Sequence, residues 1–337
     1  MNAADILKLY KNSENDALIA AADEVCRNVY GSKVYLRGLI EFSNICNIDC
    51  LYCGIRKSNK EVKRYRLSED EIIDTVSSGT KYGFKTFVLQ GGEDPYFTTP
   101  VLCGLVEKIK KINPEAAVTL SAGIRSCESY RLLKEAGCDR YLLRFETSDP
   151  ELHKYLRNGV TLNERLKALD NLRKYDYEVG SGFMVGLPGE TEETRIQNAL
   201  LCRDYNFDMV GIGPFIPHPS TPLADALQMP LELAIRSVAL VRLFLPEANI
   251  PATTAAGSLS SAGRERMLAA GANVLMPNIT PVKYKKDYEL YPGKICLDES
   301  GFECAGCLEG RVLSVNKFIT YERGDSAGFL HGKSAVS

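Results

Sequence analysis

The chain has 337 residues, of which 45% are hydrophobic and 25% charged, and its formal net charge at pH 7 is −2. These values are ordinary for a globular protein and argue against a general nucleic-acid binder, which needs an excess of basic residues. No apolar stretch is long enough for a membrane span, and the N-terminus lacks the basic region of a signal peptide, so neither nucleic acid nor a membrane is an expected partner.

The predicted elements begin with two amphipathic helices, at about Ala3–Tyr10 and Glu14–Tyr30. Short apolar runs then alternate with amphipathic segments. The runs predict strands at Gly38–Ser43, Thr86–Gln90, Ala117–Ala122, Tyr141–Glu146, Val179–Val185, Met209–Gly213, Ile250–Thr254 and Asn273–Met276. The amphipathic segments predict helices at Ser68–Tyr82, Pro100–Lys111, Glu128–Ala136, Leu162–Tyr175, Glu192–Tyr205, Leu231–Leu245 and Ser258–Ala270.

This alternation predicts an α/β protein built on a single (β/α)8 TIM-type barrel over residues 31–310. The helices of residues 1–30 are expected to cap the bottom of the barrel, and residues 311–337 are interpreted as a C-terminal tail, extended over the surface or frayed. Ser68 is a predicted helix N-cap, and Gly83 and Gly137 are predicted to end helices in the left-handed conformation. The tripeptide Arg323-Gly324-Asp325 is interpreted as a chance match to an adhesion motif.

Eleven cysteines are unusual for an intracellular protein, yet an odd number fits poorly with a complete disulfide framework. We therefore expect a reducing, cytoplasmic setting. Cys46, Cys50 and Cys53 follow the first predicted barrel strand. Zinc sites usually take four ligands, whereas three thiolates can hold three irons of a [4Fe–4S] cluster and leave the fourth open to an outside ligand. Buried structural thiols are the alternative.

The Cys-x3-Cys-x2-Cys spacing, with Tyr52 before the last cysteine, resembles the radical S-adenosylmethionine (SAM) enzymes. Further motifs make the chain similar to the FeFe-hydrogenase maturase E (HydE) family, relatives of biotin synthase, over about residues 30–310: Gly91–Pro95, Arg144–Thr147, Gly211–Pro219 and the set Cys296, Cys304 and Cys307. The resemblance implies that the cluster, reduced by a donor such as ferredoxin or flavodoxin, cleaves SAM to a 5′-deoxyadenosyl radical. An oxygen-sensitive cluster of this kind suggests an anaerobic host.

The residues after the second and fourth predicted strands suggest a SAM pocket. Gly91 and Gly92 allow backbone to approach a ligand closely, and the Glu93 carboxylate suits an ammonium group, although a tight turn with a solvated Glu93 is the alternative. The resemblance implies that the SAM contacts also include Tyr52, Glu146, Arg165 and Tyr288. A packing role is the alternative for Tyr288.

Side-chain alternation puts Arg140, Arg144 and Glu146 on one face of the fourth predicted strand. Arg140 and Arg144 are expected to face a small anionic substrate, unless Arg144 pairs with Glu146 and Arg140 is solvated. Phe145 is expected to point away from the cavity.

Three further residues match positions linked to anion binding in the resembling family, namely Arg37, Thr253 and Thr254. Barrel filling is the alternative for the two threonines, and a surface salt bridge is the alternative for Arg37. For Cys296, Cys304 and Cys307 the resemblance implies a second iron–sulfur cluster of variable occupancy, with a zinc knuckle or empty thiols as the alternatives.

The predicted function is a radical SAM enzyme that acts on a small, anionic, sulfur-bearing or amino-acid-like compound in FeFe-hydrogenase maturation, together with other maturases. A biotin-synthase-like or methylornithine-synthase-like enzyme is the alternative of the same class. An iron–sulfur carrier or electron-transfer protein, and a zinc-binding structural protein, are alternatives of other classes, but neither needs the predicted SAM pocket.

Overall fold

The structure, a computed structural model, describes residues 1–12 and 14–334, except for the side chains of residues 304, 305, 333 and 334. Its strands are β1 Lys33–Leu36, β2 Gly38–Ser43, β3 Thr86–Gly91, β4 Ala117–Ser121, β5 Arg140–Leu142, β6 Glu178–Val185, β7 Met209–Pro214, β8 Val274–Leu275 and β9 Phe318–Thr320. Helices alternate with β2 to β8 along the chain, which confirms the predicted α/β class.

The helices begin with α1 Ala3–Asn12 and α2 Asn15–Tyr30, close to their predicted bounds. They continue with α3 Glu69–Lys81, α4 Thr99–Ile112, α5 Cys127–Glu135, α6 Pro150–Leu156, α7 Leu162–Arg173, α8 Glu192–Asp204, α9 Leu231–Phe244, α10 Thr254–Leu259, α11 Gly263–Ala269, α12 Val282–Lys285, α13 Gly301–Leu313 and α14 Ala327–Ser334. Among the described residues, no helix is long and apolar enough to cross a membrane.

The strands form a six-stranded parallel sheet in the order β2-β3-β4-β5-β6-β7 and a three-stranded parallel sheet in the order β8-β1-β9. Isolated parallel bridges put Asn249 beside β7, Pro251 beside β8 and Asn278 beside β2. Because neighbouring strands run in the same direction, their carboxyl ends, and the loops that follow them, gather on one side of the sheet.

Two of the predicted strands differ in the structure. The strand predicted at Ile250–Thr254 is wrong, because only the bridges at Asn249 and Pro251 form, and Thr254 already begins α10. Pro251 has no N–H to donate to a ladder, which disfavours a regular central strand at this point. The strand predicted at Tyr141–Glu146 ends at Leu142, and Glu146 has a left-handed φ of 67°.

Local signals at the helix ends are confirmed. The Ser68 hydroxyl accepts from the Glu71 N–H, and the Glu71 carboxylate accepts from the Ser68 N–H, so α3 begins with a capping box. Gly83 and Gly137 have φ of 88° and 102°, the conformation that glycine adopts at lowest cost after a helix.

The prediction that residues 311–337 are extended over the surface or frayed is wrong for the described residues, which form helices and a strand. Helix α13 covers residues 301–313, and β9 pairs with β1 in parallel. Residues 323–326 then lie against the amino ends of the strands. The Arg37 guanidinium and the Asn249 amide each donate to the Gly324 carbonyl, both at 3.0 Å. Helices α1 and α2 pack against α9, and the end of α2 also contributes Cys26 and Tyr30 to a cluster with Tyr35 and Val274. The tail and the end of α2 therefore both lie near the amino ends of the strands.

Candidate active site

A cavity of about 240 Å³ lies at the carboxyl ends of the parallel strands. Its wall includes seven of the residues predicted for the site: Tyr52, Cys53, Arg144, Glu146, Thr253, Thr254 and Cys296. These residues come from four separate segments of the chain. The predicted convergence of motifs that are distant in sequence therefore occurs for this group.

The loop after β2 carries Cys46, Cys50 and Cys53 and is held by backbone hydrogen bonds and by one arginine. The Cys46 sulfur accepts from the N–H groups of Ile48 and Glu93, at 3.4 Å each. Arg64 donates to four carbonyl oxygens of the loop and its flanks, those of Asn44, Ile55, Arg56 and Asn59. N–H donors aimed at a cysteine sulfur stabilise the thiolate form, which is the form that binds iron.

Burial raises the pKa of Cys46, Cys50 and Cys53 above the ordinary thiol value. Without a cation these thiols are therefore protonated at neutral pH, and a metal that binds them must displace the protons. No group of three His, Cys, Asp or Glu side chains that could hold a metal ion is found in the part of the chain that the structure describes. A cubane cluster binds each thiolate through a different iron, so it does not require three sulfurs to converge on one ion.

The glycines after β3 allow two loops to meet. A Cβ atom on Gly92 would lie 2.2 Å from the Ile45 carbonyl oxygen and 2.8 Å from the Cys46 Cβ, and one on Gly91 would lie 2.7 Å from the Phe42 ring. Only glycine fits such distances. The close approach lets the Glu93 N–H reach the Cys46 sulfur, so the Gly-Gly-Glu motif supports the cysteine loop directly.

The Glu93 carboxylate lies between two buried arginines. Its Oε1 is 3.4 Å from Arg157 Nη2 and 3.9 Å from Arg165 Nη2. Arg157 also donates to the Tyr52 hydroxyl at 3.4 Å. The sequence prediction included Arg165 but missed Arg157. Arg157 follows the short helix α6, and no local pattern distinguishes its side chain from a solvated arginine.

Arg144 and Glu146 form an ion pair at the cavity wall, with 3.0 Å between Arg144 Nη2 and Glu146 Oε2. The two groups are not aligned for a hydrogen bond, so both atoms remain without a hydrogen-bond partner, as do Arg144 Nε and two nitrogens of Arg165. Buried donors and acceptors without partners are costly unless a ligand satisfies them. A ligand that carries both a carboxylate and an ammonium group, as SAM does, fits this set.

Arg37 and Arg140 do not line this cavity, and their contact with a substrate stays a prediction. Arg140 is completely buried and pairs with Glu178 and Asp325, and Arg37 donates to the Gly324 carbonyl. Both arginines lie at the amino ends of the strands. Arg140 faces the interior as predicted from alternation, and residues of the C-terminal tail accept hydrogen bonds from both arginines.

Tyr288 and Phe145 are both buried, and neither lines the cavity. Tyr288 is 2% exposed, and its hydroxyl accepts from the Gln90 amide at 3.3 Å. Gln90 lines the cavity, whereas Tyr288 lies behind it, and its contact with SAM stays a prediction. Phe145 is buried and stacks on Phe183 in the core, away from the cavity.

The second cysteine set is only partly described. Cys296 lines the cavity with a left-handed φ of 61°, and Cys307 is exposed on α13. The Cys304 side chain lies outside the described part of the structure. A second cluster at this set therefore stays a prediction.

A buried ion pair that the sequence prediction missed also lines the cavity. Lys294 donates to one oxygen of the Glu41 carboxylate, and the Asn278 amide donates to the other at 2.7 Å. Glu41 is 2% exposed. A charged residue inside the otherwise apolar strand β2 was the signal that could have identified it, because an ionised group in such a strand needs a partner.

Comparison with known proteins agrees with this geometry. The family model of the Radical SAM superfamily matches residues 40–202. The [FeFe] hydrogenase maturase subunit HydE of Thermotoga maritima is 48% identical over 304 residues, which are 90% of this chain and 87% of that protein. The 3-methylornithine synthase of Methanosarcina acetivorans is 28% identical over 272 residues, 80% of this chain and 76% of that protein. A crystal structure of methylornithine synthase has a TM-score of 0.83 at 25% identity and covers 100% of this chain and 96% of its own.

Proposed function

This chain belongs to the HydE family of radical SAM enzymes, and from that premise we propose that it cleaves SAM reductively in the cavity and acts there on a small anionic substrate. The reaction belongs to FeFe-hydrogenase maturation, the process named for the relative that is 48% identical. A sulfur-bearing or amino-acid-like compound fits the size and the charged walls of the cavity.

The observation that carries the proposal is the meeting of two features at one cavity. The cysteine loop ends at Cys53 in the cavity wall, and the unpartnered polar atoms of Arg144, Glu146 and Arg165 lie at or behind the same wall. A carrier of iron–sulfur clusters or a structural zinc protein needs the cysteines but has no use for buried donors and acceptors beside them.

Each residue has a role in this proposal. Cys46, Cys50 and Cys53 hold a [4Fe–4S] cluster which, when bound and reduced, supplies the electron that breaks a C–S bond of SAM. Arg165 offers the two nitrogens that have no hydrogen-bond partner to the SAM carboxylate, and Glu93 and Glu146 take the ammonium group and a hydroxyl.

The substrate side of the cavity is formed by Arg144, Thr253 and Thr254, which combine a guanidinium with neutral hydroxyl donors. Enclosure by the strands protects a radical from solvent. We propose that the two sheets, joined through residues 249–251, act as the closed (β/α)8 barrel expected from the sequence.

The experiment is anaerobic reconstitution with iron and sulfide, reduction, addition of SAM and measurement of 5′-deoxyadenosine. Alanine at Cys46, Cys50 or Cys53 should abolish both the brown cluster absorbance and SAM cleavage. Cys103→Ala is the matched control, because Cys103 lies on α4 outside the cavity. Normal iron content and cleavage in a triplet variant would contradict the proposal.

The methylornithine-synthase-like alternative is favoured by one observation, the match of the whole chain to that crystal structure. Two assays separate the candidates. Activation of an FeFe hydrogenase that lacks its cofactor, in the presence of the other maturases and a ferredoxin or flavodoxin, supports the maturase. Formation of 3-methylornithine supports the alternative. The cytoplasmic location and the identity of the reductant remain proposals.

A further inference from the structure

The charges on the cavity wall do not balance. The wall carries two carboxylates, Glu41 and Glu146, and three cationic groups, Arg144, Lys294 and Arg264. Lys294 pairs with Glu41, and Arg144 pairs with Glu146. Arg264 is the remaining cation, and no hydrogen bond or ion pair to its guanidinium is found among the described residues.

Arg264 is nonetheless buried. It is 7% exposed, and its Nε atom is enclosed without a hydrogen-bond partner. The guanidinium carries a positive charge and five N–H donors, so its burial is costly without an anionic or hydrogen-bonding partner. An unpaired buried cation at the wall of a cavity is the arrangement expected where a ligand supplies the missing anion.

The local packing directs this side chain toward the cavity. Arg264 is the second residue of α11, which packs tightly on α10: a Cβ atom on Gly263 would lie 2.0 Å from the Ala256 carbonyl oxygen. A Cβ atom on Gly257 would lie 3.3 Å from Arg264 Nε and 2.8 Å from the Ile295 side chain. Because Gly257 has no side chain, Arg264 can extend past it to the cavity wall beside Ile295.

We propose that Arg264 is a specificity-determining residue that binds a carboxylate group of the substrate. The inference rests on the proposed function and narrows its substrate class to small carboxylates of amino-acid size. The planar guanidinium fork can bind both oxygens of a carboxylate at once, which gives orientation as well as affinity. Arg144 has an ion-pair partner in Glu146 and Arg264 has none among the described residues, so the carboxylate lies on Arg264, and the rest of the substrate extends past Arg144, Thr253 and Thr254 toward SAM.

The test uses reconstituted, SAM-bound protein and two probes that differ only in the carboxylate: L-2-aminobutyrate, and propylamine, which is the same molecule without that group. Binding is measured by anaerobic calorimetry. The wild type should bind L-2-aminobutyrate at least about tenfold more tightly, and Arg264→Gln should weaken that binding by about 10- to 100-fold, the range for a charged hydrogen-bonded pair. Arg264→Lys should fall between the two, and propylamine should bind all three proteins alike.

Arg266→Gln is the matched control, since Arg266 lies on the same helix, pairs with Glu232 and is absent from the cavity wall; both probes should bind it as they bind the wild type. Near-ultraviolet circular dichroism and iron content show whether each variant is folded. If Arg264→Gln does not fold, the ratio of the wild-type affinities for the two probes still tests the inference, because equal affinities overturn it.

The two proposals fail differently. If the wild type releases 5′-deoxyadenosine but the affinity for the probes does not depend on the carboxylate or on Arg264, the role of Arg264 is refuted and the enzyme assignment stands. Binding that depends on Arg264 in a wild-type protein that never cleaves SAM refutes the enzyme assignment and retains the anion site.

Discussion

Replacing Gly92 with alanine tests the contact between the Gly-Gly-Glu loop and the cysteine loop. The new Cβ atom would lie 2.2 Å from the Ile45 carbonyl oxygen and 2.8 Å from the Cys46 Cβ. Carbon and carbonyl oxygen normally approach no closer than about 3.3 Å, so the two loops must separate by about 1 Å. Both neighbouring atoms belong to or lie next to the backbone, which leaves no flexible side-chain end to move aside.

The free-energy cost of separating the two loops can be estimated from the contacts that it breaks. It disrupts the hydrogen bond from the Gly92 N–H to the Ser43 carbonyl, 2.9 Å long, and the 3.4 Å bond from the Glu93 N–H to the Cys46 sulfur. Each hydrogen bond contributes about 0.5–1.5 kcal/mol, and overpacking costs about 1–3 kcal/mol. The free energy of unfolding should therefore fall by about 2–6 kcal/mol.

The assay compares Gly92→Ala with Gly104→Ala. A Cβ atom on Gly104, inside α4, would have nothing within 4 Å, so that variant should gain about 0.5–1 kcal/mol from higher helix propensity. Urea unfolding of the metal-free proteins measures stability, and iron per chain after reconstitution measures cluster retention. We expect Gly92→Ala to retain less than about half of the wild-type iron, because displaced thiolates bind metal less tightly. Wild-type stability and iron content in Gly92→Ala would refute the reasoning.

Three other predictions concern buried ionisable groups. Burial lowers the pKa of His153 to about 4, so only the unfolded state gains a proton between about pH 6.5 and pH 4. The free energy of unfolding should therefore fall by up to about 3 kcal/mol as the pH drops through that window. Urea unfolding of the wild type and of His153→Leu at several pH values measures the difference. Burial raises the pKa of Asp208 to about 6, so stability should fall as pH rises from about 4 to 6, and Asp208→Asn should be more stable than the wild type by up to about 3 kcal/mol at pH 8 and nearly equal at pH 4. Arg140→Met leaves the buried Glu178 carboxylate without its partner and should cost about 3–5 kcal/mol of stability, while binding of SAM to the folded fraction is unchanged.

Each of these predictions has an outcome that contradicts it. A His153→Leu protein with the same slope of stability against pH as the wild type would show that His153 is protonated in the folded state. A constant stability difference between Asp208→Asn and the wild type from pH 4 to pH 8 would exclude the raised pKa. If Arg140→Met folds normally but loses affinity for a small carboxylate, the assignment of Arg140 to the tail network is wrong and its role is in the cavity.

Short-range sequence signals predicted much of the site. The spacing of Cys46, Cys50 and Cys53, the pair Gly91-Gly92 and the cap at Ser68 depend on geometry within a few residues, so the chain specifies them without knowledge of the whole fold. The alternation of strands and helices predicted that Glu146, Thr253 and Thr254 lie at one edge of the sheet. They do line one cavity there, although β5 ends at Leu142 and only isolated bridges form at Asn249 and Pro251.

Tertiary structure decided near which end of the strands each charged side chain lies and which groups it pairs with. Alternation along a strand tells which face a residue occupies, but not its depth, and both Arg140 and Arg144 face inward. A residue 185 positions further on, Asp325, gives Arg140 its acceptor, whereas Arg264 meets no acceptor at all among the described residues. Pairing at that distance in the chain depends on how the tail and the helices pack, which no local pattern encodes, and it determines which arginine is left to meet a ligand.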